Sequence, residues 1–123
     1  MVAHNYEFGQ FSGPVIAEWL PGWGMLLAAP LTFTDPSGSK YTAPRSLLLD
    51  GASIPRFLWG IVGCPFTGEY RTASVVHDHM CVVKRNDWRF THYLFWQMCR
   101  ACGVGRVKSW ILWAGVRFFG PRW

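Results

Sequence analysis

Two short islands hold the residues best suited to chemistry: Asp50-Gly51-Ala52-Ser53-Ile54-Pro55-Arg56 and His77-Asp78, each set among apolar neighbours. The chain has only seven acidic residues and four histidines. A small domain seldom places charge inside apolar runs unless the charge has a partner or a task. His77, Asp78 and Asp50 are therefore the catalytic candidates, with His77 as general base and a carboxylate fixing its tautomer. His92 can approach His77 if the helices carrying them form an antiparallel hairpin. Together His77, Asp78, His92 and Asp50 make a donor set suited to a divalent metal such as zinc.

Ser53 is a candidate nucleophile, since a serine near a His-Asp pair is the minimal set for covalent hydrolysis. It lacks the flanking glycines of a nucleophile elbow, and a serine before Ile-Pro is equally a turn residue bonding its own backbone. The same residues also support a purely structural reading. Asp50 then caps a turn whose Gly51 permits a positive φ. Arg56 pairs with Asp78 across the domain, with Ser53 in the same network, and His77 is a neutral core histidine.

The elements that must position these residues follow from patterning. Val15 to Leu20 and Gly24 to Leu27 are short apolar stretches ended by Pro21-Gly22 and Pro30. Leu31 to Thr34 reads as a strand, Asp35-Pro36-Ser37-Gly38 as a turn, and Lys40 to Ala43 as the return strand of a hairpin. Pro44 marks a strand end, and Ser46 to Leu49 leads up to Asp50. Arg71 to Val83 reads as a helix with Ala73, Val76, His77, Met80 and Cys81 on one face, leaving Asp78 about a hundred degrees round from His77. Asn86 or Asp87 caps the next helix, which runs to about Cys102 with Gly103 as its stop. The last helix spans roughly Val107 to Phe119, closed by Gly120-Pro121. The expectation is an α+β domain over residues 1–123: strands and loops over 1–66, a helical part over 67–119. A small N-terminal antiparallel sheet or hairpins would pack against about three C-terminal helices.

Composition narrows the function classes. At 123 residues the chain can bury a core without disulfides or metal. Eight Trp and nine Phe suggest that some rings stay exposed, pointing to a protein partner or self-association through aromatic patches, with Trp19, Trp23, Trp110 and Trp113 as candidates. The net charge of +5, with nine of twelve basic residues being Arg, favours anionic partners such as an acidic envelope polymer. No dense basic run or nucleic-acid-binding motif is visible. No signal-peptide pattern or membrane-length apolar run is present, so a soluble cytoplasmic product is expected. Cys99 and Cys102 have Cys-x-x-Cys spacing without a second pair, and read as small apolar filler at a helix interface rather than as a metal or redox couple.

The islands and their surroundings resemble an uncharacterised family of phage and bacterial proteins, catalogued as domain of unknown function 1353. The residues that carry the likeness are Ala43-Pro44, Asp50 to Arg56, Trp59, Gly68 and Tyr70, then Ala73, His77 and Asp78, then Phe95 and Gly103-Val104. It covers roughly Leu31 to Phe119. Two positions depart: Cys81 stands where that family usually has Tyr, and His92 where it tends to have Asp. The resemblance implies a phage or prophage origin, where small proteins accompany tail or lysis functions. Two functions are therefore expected to compete. One is a phage-encoded protein with a His/Asp hydrolytic or metal-binding centre acting on a cell-envelope substrate. The other is a non-enzymatic virion protein of tail or capsid, structural or assembly, in which the same residues form a buried stabilising network.

Overall fold

A computed structural model describes residues 6–21, 24–49, 58–62 and 70–123. Asp50, Ser53 and Arg56 lie outside the described residues, as do Trp23 and Gly68. The N-terminal half opens with a 3-10 turn (Tyr6–Phe8) and contributes six short strands: β1 (Gln10–Phe11), β2 (Ala17–Leu20), β3 (Gly24–Leu27), β4 (Leu31–Thr34), β5 (Lys40–Ala43) and β6 (Leu48–Leu49). Four helices follow: α1 (Trp59–Val62), α2 (Arg71–Val83), α3 (Trp88–Ala101) and α4 (Arg106–Phe119). The expected α+β arrangement is observed, with the strands divided between two antiparallel three-stranded sheets ordered β1-β4-β5 and β2-β3-β6.

The β4–β5 hairpin forms where the turn chemistry requires it. Its register runs from Leu31 opposite Ala43 to Thr34 opposite Lys40. In the connection, Asp35 Oδ1 accepts hydrogen bonds from the Ser37 and Ser39 backbone N–H groups at 3.0 and 2.9 Å, so one carboxylate organises the loop. Gly38 takes a φ of +94°, which a side chain would resist. Strand alternation then sorts the faces: Leu31 and Phe33 of β4, and Met25 and Leu27 of β3, are buried while their neighbours are partly exposed.

Those inward side chains share one apolar core with the helices, including Val76 of α2, Phe95 and Met98 of α3, and Leu112 and Val116 of α4. Helix α2 rests on β4 and β5, α3 packs on α2, and α4 packs on α3. The α2–α3 connection is short and specified at both ends. Lys84 takes a left-handed conformation (φ 55°, ψ 35°) and donates its N–H to the Met80 carbonyl at 3.0 Å, closing α2. Asp87 caps α3 by accepting from the Arg89 N–H at 3.0 Å. This tight link places α2 and α3 side by side and brings their inner faces together. Cys99 is buried in the core and Cys102 packs against it.

Candidate functional site

His77 lies in the middle of α2, on the face shared with Ala73, Val76, Met80 and Cys81, and is fully buried. His92 lies one turn into α3, also fully buried. Because the two helices face each other, the rings meet: His77 Nε2 is 2.9 Å from His92 Nδ1. Cys81, four residues after His77 and hence on the same side of α2, puts its Sγ 3.6 Å from that same Nε2. One donor atom from each of His77, Cys81 and His92 falls within 4.8 Å of the other two.

The proton positions follow from what each partner can do. His92 Nε2 lies 2.7 Å from the Pro121 carbonyl oxygen, which only accepts, so Nε2 carries the hydrogen. In a neutral imidazole the other nitrogen is then a bare acceptor, so His92 Nδ1 accepts from the Nε2–H of His77. That in turn leaves His77 Nδ1 as a bare lone pair. It is buried and has no hydrogen-bond partner among the described residues. A proton-ordered relay thus runs from α2 through α3 to the C-terminal segment after α4, and it starts at an unsatisfied acceptor.

The surroundings hold this arrangement neutral. The His77 ring stacks on Phe95 with centroids 4.4 Å apart, and His92 meets the rings of Trp88 and Trp123 near edge-on, each at 6.0 Å. Burial pushes the His77 pKa well below the ordinary histidine value, and the neighbouring His92 pushes it the same way. Burial also lowers His92; the bond to Pro121 opposes this, and the nearby Arg117 and Arg122 reinforce it. The Cys81 thiol is pushed up to about 12, first by burial and then by the Asp78 carboxylate, with Lys84 opposing. At neutral pH the triangle therefore consists of two neutral imidazoles and a protonated thiol.

The other expected residues are placed differently. Asp78, half-buried on α2, stands outside the three-donor group and acts on it through its charge at Cys81. Asp50, Ser53 and Arg56 fall outside the described residues. His79, next to Asp78, is half-buried beside Tyr41 and Thr42 of β5. Cys81 is the member that reading for catalytic and metal residues overlooked. Its signal was present in the i, i+4 spacing from His77 and in its standing where the resembled family carries Tyr.

Comparison with known proteins places these features in a lineage. A family model described as protein of unknown function (DUF1353) matches residues 25–116, a span that contains His77, Cys81 and His92. The uncharacterized protein y4jT of Sinorhizobium fredii (strain NBRC 101917 / NGR234) is 37% identical over 119 residues, covering 94% of this chain and 35% of the relative. The uncharacterized protein y4iH of the same strain is 36% identical over 98 residues, covering 80% of this chain and 41% of the relative. The chain thus spans well under half the length of these curated relatives. No solved structure gives a significant match.

Proposed function

The chain belongs to the family described as protein of unknown function (DUF1353), and on that premise we propose that it is a small metal-binding protein whose centre is built by His77, Cys81 and His92. The observation that carries this reading is the convergence of two imidazoles and a thiol, all buried, within 4.8 Å. Two nitrogens and a sulfur suit zinc or a similar borderline ion, with bonds of about 2.0–2.1 Å to N and about 2.3 Å to S. Tetrahedral coordination at those lengths separates two nitrogens by about 3.3 Å. The pair at 2.9 Å therefore needs to open only slightly.

The second layer also supports the reading. A ligating histidine ordinarily donates its other N–H to a carbonyl or carboxylate, which is what His92 does to Pro121. To ligate through Nε2, His77 must move its proton to Nδ1, the atom now lacking a partner. Cys81 must lose its proton, and a thiol pKa near 12 makes binding strongly pH-dependent, with proton release. Three protein ligands leave a fourth position. A divalent ion there would supply Lewis acidity to water, and hydrolysis of a cell-envelope substrate, with Asp50 or Asp78 as base, is the activity we attach to the centre, one that requires the buried triangle to open to solvent. The net charge of +5 suits an acidic substrate of that kind.

A second reading is favoured by the relay itself. Its closure on Pro121 ties α2, α3 and the segment after α4 together, which is what a non-enzymatic virion or assembly protein would use as a buried network. Titration of the purified chain with Co(II) separates the two. The metal-site reading expects one equivalent bound with a thiolate-to-metal charge-transfer band, and loss of that band in Cys81→Ala while helicity is retained. A folded protein that binds no Co(II) or Zn(II) even at alkaline pH would leave the buried-network reading in possession.

A further inference from the structure

All seven acidic residues of the chain precede Trp88, while six of its twelve basic residues follow it. The α3–α4 hairpin and the segment after it, residues 88–123, therefore contain no carboxylate side chain at all. Three of these cations gather at one ring: the guanidinium carbons of Arg89, Arg117 and Arg122 lie 4.5, 4.7 and 5.2 Å from the centre of the Trp88 indole. The ring's negative face offsets part of their mutual repulsion. Arg122 also donates to the Phe118 carbonyl at 2.9 Å, and an anion from outside would relieve what remains.

Beside this cationic cluster the same hairpin exposes apolar surface. Tyr93 and Trp96 of α3 and Trp110 and Trp113 of α4 line an open groove of about 250 Å³. One turn before Trp110 on α4, Val107 is 74% exposed, and Trp110 itself is 60% exposed. Single exposed apolar residues are ordinary, but a contiguous set rimmed by one sign of charge marks a binding surface. The four groove-lining side chains are all aromatic, and the exposed aliphatic side chain of Val107 continues the patch one turn away on α4. A nucleic-acid backbone has little use for such groups, whereas the boundary between lipid headgroups and acyl chains accommodates both the rings and the aliphatic side chains. No helix among the described residues is long and apolar enough to cross a membrane, so contact would be with the surface.

We propose that the outer face of the α3–α4 hairpin is a docking surface for an anionic phospholipid bilayer, with the arginines around Trp88 receiving headgroup phosphates and Trp110 and its neighbours entering the interface. This inference does not involve the His77 centre and stands or falls separately from it.

The test is sedimentation of the chain with phosphatidylglycerol vesicles and with phosphatidylcholine vesicles, read together with tryptophan emission. The expected result is binding to phosphatidylglycerol with a blue shift, weakening as salt is raised, and little binding to phosphatidylcholine. Arg89→Gln should weaken it about fivefold, the usual effect of one basic residue near an anionic surface. Trp110→Ser should weaken binding and reduce the blue shift. Both side chains are exposed, so unchanged circular dichroism is expected of the variants, and Val107→Ser gives a second probe of the apolar patch. Failure to bind phosphatidylglycerol at low salt would overturn the proposal. So would equal binding to both lipids, or indifference to both Trp110→Ser and Val107→Ser. Tight, Trp110-dependent binding of a single-stranded oligonucleotide without vesicle binding would overturn it in favour of a nucleic-acid surface.

Discussion

His92 donates to the Pro121 carbonyl across 2.7 Å and thereby turns its bare Nδ1 toward His77, 2.9 Å away. The contact with a carbonyl at the end of the chain's last helical segment fixes which nitrogen of a buried ring on α3 is an acceptor. That choice sets the tautomer of His77 on α2. The behaviour of the centre follows from this order.

His92→Ala should be strongly destabilising. It leaves the His77 Nε2–H and the Pro121 carbonyl without this partner, and each buried unsatisfied group costs about 1–3 kcal/mol. A cavity adds to the loss. Urea unfolding followed by circular dichroism measures it. A loss below about 1 kcal/mol would show that the relay does not hold the helices together.

Stability should fall as the solution is made acidic. The unfolded chain protonates His77 near its ordinary pKa of about 6.5, while burial holds the folded-state value well below that. Above about pH 6.5 both states are neutral at this site and the full stability is present. Below it the unfolded state binds the extra proton, and stability declines by about 1.4 kcal/mol per pH unit until the folded pKa is reached. Denaturation midpoints between pH 7.5 and pH 5 should show this slope, and His77→Phe, which keeps a ring against Phe95, should flatten it. An unchanged slope in that variant would assign the acid sensitivity elsewhere.

Cys81 should resist alkylation in the native protein at neutral pH. Its thiol is buried and its pKa is pushed up to about 12, so almost no thiolate, the reactive form, is available. Treatment with iodoacetamide followed by peptide mass mapping should find Cys81 unmodified in the native chain and modified in urea. Rapid native labelling at Cys81 would mean that the centre opens to solvent.

Much of the frame was legible locally. The Asp35–Gly38 turn, the Asp87 cap, the Gly103 stop and the face of α2 carrying His77 each depend on interactions spanning a few residues. The close approach of His77 and His92 was legible only conditionally, through the expectation of an antiparallel helical hairpin, because spacing along the chain does not specify how deeply two helices interlock. Cys81 was visible as a neighbour of His77 on its helix face, yet a cysteine among apolar residues is most often core filler. Only packing reveals that its sulfur reaches the ring nitrogen.

By itself the sequence determined the α+β division, the approximate bounds of the three long helices and the apolar setting of His77, because turn chemistry, capping and hydrophobic periodicity act over short stretches of chain. Tertiary structure decided who shares the centre. His92 comes from the next helix and Pro121 from twenty-nine residues beyond His92. Asp78, adjacent to His77 in sequence, points elsewhere because successive residues on a helix are rotated by about a hundred degrees. Contacts of that range depend on the register of packed helices, which is a property of the whole core rather than of any segment.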